Sequence, residues 1–308
     1  MPRHLSPITL AHLLLLAVVI IWGATFVLVK DALQDTSPLL FNLLRMALAF
    51  VALAIVNHRQ LLSIKRQSII SGFMVGLFLA AGYQFQTTGL AHTTAAKSAL
   101  ITGLVVVFVP LFTIFPALRP SGTPHPRWTS ALGAIFAFSG LLLLTTPAGT
   151  SWQNLFRTIG LGDILTLFCA VAFAAHLLSL ARVSKGIPTA QLATIQIGSA
   201  ALLMAISLPL GGRPHLTFTP RLITALAVTS LLATAAAFTI QSWAQQYLPP
   251  THTAILLSLE PVFACITSFL VLHEHLGPRS LFGAALILIG IVTIEIFPSD
   301  APIPMYPI

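Results

Sequence analysis

Charge is what this sequence lacks. Of its 308 residues, only 7% are Asp, Glu, Lys or Arg and 56% are hydrophobic, whereas soluble domains carry about 25% charged residues. So few charges cannot cover the surface of a water-soluble fold. Acidic groups are the scarcest, seven in all, and no Asp pairs with a His inside an apolar run. There are two cysteines, Cys169 and Cys265. Both sit within apolar runs, which points to core filling and excludes a disulfide framework. No Walker loop ending in Lys, no H-E-x-x-H and no G-x-S-x-G occurs. An ATP-driven motor of that type, a zincin protease and a serine hydrolase are thereby excluded. No cofactor is implied, and no paired acid and base suggests an enzyme.

What the sequence has is long apolar runs. Its mean hydropathy is +0.95. A run of about 20 apolar residues crosses the ~30 Å hydrocarbon core of a bilayer. Ten such runs occur: Ile8–Val29, Pro38–Val56, Ile69–Leu90, Ala95–Leu118, Trp128–Thr146, Leu161–Ala181, Thr189–Leu210, Leu222–Tyr247, Thr253–Leu272 and Ser280–Phe297. Lipid offers no partner to free backbone groups, so each is expected to be a helix. The fold class is an all-α integral membrane protein with ten transmembrane helices. The first run follows Arg3 in the manner of a signal peptide, yet it is too long and lacks a clean cleavage site, so it reads as a retained span. The net charge of +8 does not point to nucleic acid. The basic residues lie in short loops, where they set topology and meet the headgroups of the lipid bilayer.

The chain also repeats itself. Leu132-Gly133-Ala134 through Gly140 matches Phe282-Gly283-Ala284 through Gly290 at an offset of 150, as Ser37-Pro38 matches Ile187-Pro188. Ser98-Ala99-Leu100-Ile101 matches Thr253-Ala254-Ile255-Leu256 at an offset of 155, as Gln86 matches Gln241. These matches divide the chain into repeats over 8–148 and 158–298, with an extended, proline-rich tail over 299–308. Five spans per unit is an odd number, so the second unit enters the membrane upside down. Two inverted five-helix repeats are a known way to build a transporter with a central site. Loop charges set the orientation. Arg3, Arg59, Lys65, Arg66, Arg119, Arg127, Arg182 and Lys185 lie on the side of the termini, against Lys30, Lys97, Arg157, Arg213, Arg221 and Arg279 opposite. Eight against six favours cytoplasmic termini. Gly72 and Gly76 form a GxxxG pattern, a device for close helix packing that by itself implies no dimer.

Ionisable groups deep in a membrane mark functional positions by default. Glu260 lies about 10 Å into the ninth span at 1.5 Å per residue. Pro261 follows it and is expected to kink the helix and free the carbonyl of Leu257. A carboxylate there suits a proton or cation, or else a structural pairing. Pro110 is expected to break the fourth span in the same way. Arg45 lies in the second span with Asn42 on the same face, placed to bind an anionic substrate group, to pair with an acid or to snorkel. Lys97 opens the fourth span, within reach of headgroups. His176 lies inside the sixth span, suited to proton relay or to a hydrogen bond between helices. Trp22 and Thr25 in the first span, Tyr83 and Gln86 in the third, and Gln241 with Gln245 in the eighth are amphipathic or polar groups on apolar helices. They fit interhelical glue or a substrate route. A central cavity lined by Trp22, Thr25, Tyr83, Gln86, His176 and Gln241 is expected. His273, Glu274 and His275 are consecutive and point in different directions, so no metal site is expected.

Three motifs carry a resemblance. Ile21-Trp22-Gly23-Ala24-Thr25-Phe26, then Thr93-Thr94-Ala95-Ala96-Lys97-Ser98-Ala99-Leu100-Ile101-Thr102-Gly103-Leu104 with Val109-Pro110, then Leu259-Glu260-Pro261-Val262-Phe263-Ala264 with His273-Glu274 resemble, in order, the motifs of the EamA family of the drug/metabolite transporter superfamily. The second unit has Phe173-Ala174 where the first has Trp22-Gly23. The resemblance implies ten helices, cytoplasmic termini and a multi-pass place in the cell (inner) membrane. It also implies secondary transport of a small-molecule substrate, often export of amino-acid-like or drug-like compounds, with protons a candidate coupling ion. An intramembrane enzyme and a passive channel are the alternative readings.

Overall fold

The computed structural model of the protein describes residues 6–120, 128–145, 159–248, 250–257 and 259–296. Among these residues all regular structure is helical, apart from one isolated bridge between Thr36 and Leu216. The expected tail over 299–308, most of the linker between the repeats, and Arg3, Arg127 and Arg157 lie outside the described residues.

In chain order the helices are α1 (Pro7–Ala32), α2 (Pro38–Val56), the single turn α3 (His58–Leu61), α4 (Arg66–Ala91), α5 (Ala95–Thr102), α6 (Val105–Thr113) and α7 (Trp128–Thr145). Then follow α8 (Leu161–Val183), α9 (Thr189–Ser207), α10 (Pro220–Ser230), α11 (Ala237–Ala244), α12 (Pro250–Leu257), α13 (Glu260–Thr267) and α14 (Pro278–Ile296). A wide π stretch, Leu231–Ala236, joins α10 to α11, and another, Ser268–Leu272, extends α13. Among the described residues, seven stretches are long and apolar enough to cross a membrane: Pro7–Ala32, Pro38–Val56, Arg66–Ala91, Ala95–Thr113, Leu161–Gly186, Thr189–Gly211 and Pro220–Ala244. Three shorter apolar helices accompany them: Ala131–Leu144, Glu260–Leu272 and Pro278–Gly290. Large apolar side chains such as Leu48, Val51 and Ile55 on α2 face outward, as in a bundle surrounded by lipid.

The helix starts follow local rules. Ser6 Oγ accepts from Thr9 N (3.1 Å) ahead of Pro7. Thr219 caps α10 ahead of Pro220, and Thr94 caps α5. A hydroxyl cap satisfies an orphan N–H, and proline in the first turn has none to waste.

Contacts between loops define the two ends of the bundle. At one end, which carries the start of α1, Gln191 Nε2 of α9 donates to Gln60 O (2.9 Å) and Ser68 Oγ of α4 donates to Gln191 Oε1 (3.0 Å). There too, Gln246 Nε2, after α11, donates to Thr189 Oγ1 (2.8 Å). At the far end, Lys30 Nζ donates to the carbonyls of Leu90 (2.8 Å) and Thr93 (2.7 Å), closing the C-terminus of α4. Lys97 Nζ pairs there with Asp163 Oδ2 at 2.8 Å, so it is spent on α8 rather than reaching for headgroups. Arg221 grips Asp35 through two 2.8 Å bonds, tying the start of α10 to the α1–α2 loop.

Helix contacts come in exchanged pairs. α1 packs on α13 while α8 packs on α5 and α6; α4 packs on α8 while α1 packs on α10 and α11. The α7–α14 pair shows the pattern in single residues. A Cβ on Gly283 would lie 2.6 Å from Gly140 O, and one on Gly290 would lie 2.5 Å from Gly133 O. The repeat mates 133/283 and 140/290 are thus crossed, as a two-fold contact requires. Gly72 and Gly76 serve an internal packing role, since Cβ atoms there would meet Ile195 and Gln196 of α9 at 2.5 Å.

One expectation is corrected. The fourth apolar run is interrupted at Gly103-Leu104, between α5 and α6, and α6 runs on through Pro110 to Thr113. The matching interruption ends at Leu259, one residue before α13. Gly103-Leu104 stands 155 residues before Ser258-Leu259, so the breaks are repeat-related although their prolines are not. Pro261 lies in the first turn of α13, where a missing N–H is harmless. Pro110 has that place taken from it because the chain has already bent at the glycine. The two breaks abut: a Cβ on Gly103 would lie 2.7 Å from Pro261 Cγ.

Candidate functional site

Beside the abutting breaks lies a cavity with about 800 Å³ of empty space, its opening included. Trp22, Thr25, Arg45, Tyr83, Gln86, His176, Gln241 and Glu260 all line it, together with Phe173, Phe238, Thr102 and Val105. α1, α2, α4, α5, α6, α8, α11, α12 and α13 contribute to its walls.

The π stretch after α10 organises one wall. A π turn displaces carbonyls from the regular ladder and offers them to neighbours. Ala233 O accepts from Trp22 Nε1 (2.8 Å) and from Arg45 Nη2 (3.2 Å). Arg45 is 3% exposed. Its Nε donates to Thr234 Oγ1 (2.7 Å), its Nη2 donates to the Tyr83 hydroxyl (2.9 Å), and its guanidinium carbon lies 4.3 Å from the centre of the Tyr83 ring. The arginine therefore neither snorkels nor joins an ion pair among the described residues. Its planar fork is held by hydroxyls, a carbonyl and a ring.

Asn42 is placed differently from the expectation. Its Nδ2 donates to Tyr83 O (2.9 Å) and Gln84 Oε1 (2.9 Å), and its Oδ1 accepts from Thr87 Oγ1 (2.8 Å). All three bonds tie α2 to α4, and Asn42 is not part of the cavity lining. It shares a helix face with Arg45, but the amide is short and α4 is its immediate neighbour.

The lining continues along α11 with aromatic and amide groups. Phe238 is the hub, with ring centres 5.3 Å from Trp22, 6.0 Å from Tyr83 and 5.6 Å from His176. Phe173 stacks edge-on to Tyr83 at 5.2 Å. Edge-to-face contacts of this kind hold aromatic walls in place. His176 Nε2 donates to Gln196 Oε1 (3.0 Å), and Gln196 Nε2 donates to Ser242 Oγ (2.9 Å), a buried relay between α8, α9 and α11. Gln86 Nε2 reaches Thr102 Oγ1 at 3.5 Å, and among the described residues Gln241 Oε1 has no hydrogen-bond partner.

Glu260 is the first residue of α13 and faces the same space. Among the described residues it makes no ion pair or side-chain hydrogen bond, and the Arg45 charge acts on it across the cavity. Its repeat mate, 155 residues earlier, is Val105, the first residue of α6 and also in the lining. The acid thus stands on one side only of an otherwise paired architecture. Gly23 brings α1 against it: a Cβ there would lie 2.9 Å from Glu260 O and 2.6 Å from Phe263 Cβ.

The polar residues at the far end are employed structurally. Glu274 accepts from the backbone N–H of Ala95 and Ala96 (3.1 Å each) and from Ser268 Oγ, capping α5. His273 before it takes a left-handed conformation, φ 54°, which turns the carboxylate back.

Phe173 stood out in the sequence only as the counterpart of Trp22, and Phe238 did not, because phenylalanine gives no contrast within an apolar run. The repeat register points to both. Phe173 is 151 residues after Trp22, and Phe238 is 155 after Tyr83.

A multi-pass helical bundle with a polar, aromatic-walled cavity at the meeting of two broken helices is the architecture of a membrane transporter. The EamA-like transporter family matches this chain twice, over residues 9–146 and 160–296, and the chain belongs to that family. It is similar to an uncharacterized transporter of Archaeoglobus fulgidus, 33% identical over 93% of this chain and 86% of the relative. The transporter YoaV of Bacillus subtilis is 24% identical over 90% and 94%. A WAT1-related chloroplastic protein of Arabidopsis thaliana is 27% identical over 89% and 66%. A solved crystal structure shares the fold with a TM-score of 0.67 at 18% identity, over 93% of this chain and 96% of that one. The protein is a transporter and not an enzyme.

Proposed function

We propose that this protein is a secondary active transporter that exports small metabolites, amino-acid-like or drug-like, by alternating access. It sits in the cell's inner membrane as ten transmembrane helices in two inverted five-helix repeats, with both termini cytoplasmic. The observation that carries this reading is the position of the cavity, at abutting, repeat-related helix breaks between halves whose contacts exchange in pairs. Related halves that can trade conformations give inward-open and outward-open states of similar energy.

Within the cavity the roles divide by chemistry. Nε and Nη2 of Arg45 are committed to protein, so Nη1 is the donor left for an anionic substrate group. Trp22, Tyr83 and the two phenylalanines hold an apolar body. Thr25, Gln86, His176 and Gln241 supply hydrogen bonds. Glu260 carries the coupling proton, taking it in one state and releasing it in the other.

Substitution separates coupling from structure. Glu260→Gln keeps the shape but cannot release a proton. Reconstituted Glu260→Gln protein is expected to exchange substrate down its own gradient and to lose accumulation driven by a pH gradient. Full proton-driven accumulation by a normally folded variant rules the coupling role out. The substrate comes from comparing metabolites in the medium of cells with and without the gene. A reporter fused after Ile308 that works only outside the cytoplasm overturns the orientation.

A further inference from the structure

The face of α11 that looks into the cavity continues beyond it. Phe238, Gln241 and Gln245 follow one another at helical spacing. The first two line the cavity, and Gln245 lies one turn farther toward the N-terminal end. There Ser184 Oγ donates to its backbone carbonyl at 3.2 Å. Gln245 is 1% exposed and Gln241 2%. Among the described residues, Gln241 Oε1 and both Oε1 and Nε2 of Gln245 have no hydrogen-bond partner. A buried amide without a partner is unfavourable, and here two such amides stand side by side. Packing alone favours an apolar side chain at this place.

The repeat supplies that comparison. Leu90 precedes Gln245 by 155 residues, as Gln86 precedes Gln241. Leu90 is 2% exposed, lines the far-end side of the same cavity and clusters with Phe26, Val29, Ala95 and Ala99. One position of the fold is therefore an apolar side chain toward the far end and, among the described residues, an unpartnered amide toward the N-terminal end.

We propose that Gln241 and Gln245 form a polar subsite on the transport path, between the cavity and the N-terminal end. It takes an uncharged hydrogen-bonding group, a hydroxyl or amide of the transported molecule or the water that travels with it. Gln241 offers an acceptor there, and Gln245 offers an acceptor and a donor. This subsite rests on the transporter reading of the cavity.

Thiol labelling tests it without knowledge of the substrate. Gln245→Cys, Leu192→Cys and Thr25→Cys are each made in the full chain with Cys169 and Cys265 replaced by Ala, and reconstituted in liposomes. Each is exposed to the membrane-impermeant reagent trimethylammonium-ethyl methanethiosulfonate from either face. Gln245→Cys is expected to react from the N-terminal face roughly tenfold or more faster than Leu192→Cys, which is packed among α4, α8 and α9 outside the cavity, reacts from either face, since a hydrated path is open where a packed core opens rarely. Equal, slow reaction at both positions overturns the subsite. Thr25→Cys reports on the cavity itself: labelling there with none at Gln245→Cys removes the subsite and leaves the cavity, whereas no labelling at Thr25→Cys from either face removes the cavity reading. Gln245→Leu adds a second readout. An unchanged or raised unfolding temperature supports an unpartnered amide, and a fall of several degrees makes Gln245 an interhelical tie and overturns the proposal.

Discussion

Arg45 joins three helical elements through one side chain: its own α2, Tyr83 on α4 and the π stretch after α10. That arrangement depends on the planar fork, which offers donors in fixed directions. Lysine has one point charge and cannot reach Thr234, Ala233 and Tyr83 together. Arg45→Lys is expected to lower stability by about 1–3 kcal/mol, the cost of leaving buried acceptors unmet, measured by thermal unfolding in detergent. Transport of the substrate should fall with it. Arg45 and Glu260 were both legible as charges placed where lipid tolerates few. Asn42 was not, because a shared helix face says which direction a side chain leaves its helix but not which neighbour it meets.

At the scale of helices, close approach is what positions the acid. α1 can press against the start of α13 only because residue 23 has no side chain. Gly23→Ala places a methyl 2.6 Å from Phe263 Cβ and 2.9 Å from two backbone atoms, Ala264 N and Glu260 O. Backbone cannot swing aside as a flexible side chain does, so a loss of about 1–3 kcal/mol is expected from overpacking. Gly186→Ala, where nothing lies within 4 Å of the added Cβ, is the control and should leave the unfolding temperature unchanged. The broken helices show the limit of reading elements from composition. Proline marks a place where a helix bends if nothing else has done so. Here Gly103 has already ended α5, and Pro110 rides inside the following helix. Glu274 illustrates a second element-scale device. It meets the first two N–H groups of α5 from a distant loop, so Glu274→Ala is expected to cost about 0.5–2 kcal/mol, as the loss of an N-terminal cap does, again read by thermal unfolding.

For the whole molecule, the far end is laced shut by polar contacts that join the halves. The Asp35–Arg221 clasp is the most complete, with Thr219 Oγ1 adding a 2.6 Å bond to the same carboxylate. The guanidinium holds Asp35 down to about 2, below the ~3.9 of a free aspartate. A depressed carboxyl contributes stability that is fully present above pH ~4 and lost as pH falls through about 2. The unfolding temperature is therefore expected to drop across that window, and Asp35→Asn is expected to be less stable at neutral pH and flatter between pH 4 and 2. Under alternating access this clasp must also open, so the same variant is expected to raise labelling of Thr25→Cys from the far face.

By itself the sequence determined the class of the molecule. With 7% charged residues and 56% hydrophobic, no other solvent than lipid suits it, and helices are what lipid permits a single open chain. The duplication was also legible, since offsets of 150 and 155 survive in glycines and glutamines whose packing roles recur. What only the tertiary structure decided is how the elements meet. Helix periodicity cannot tell which of several apolar neighbours a face will touch, and the neighbour determines whether Asn42 ties two helices or Gln245 stays unpaired. The cavity has the same origin. It exists because two helices break at corresponding places and abut there, a contact between residues 103 and 261 that no local pattern encodes.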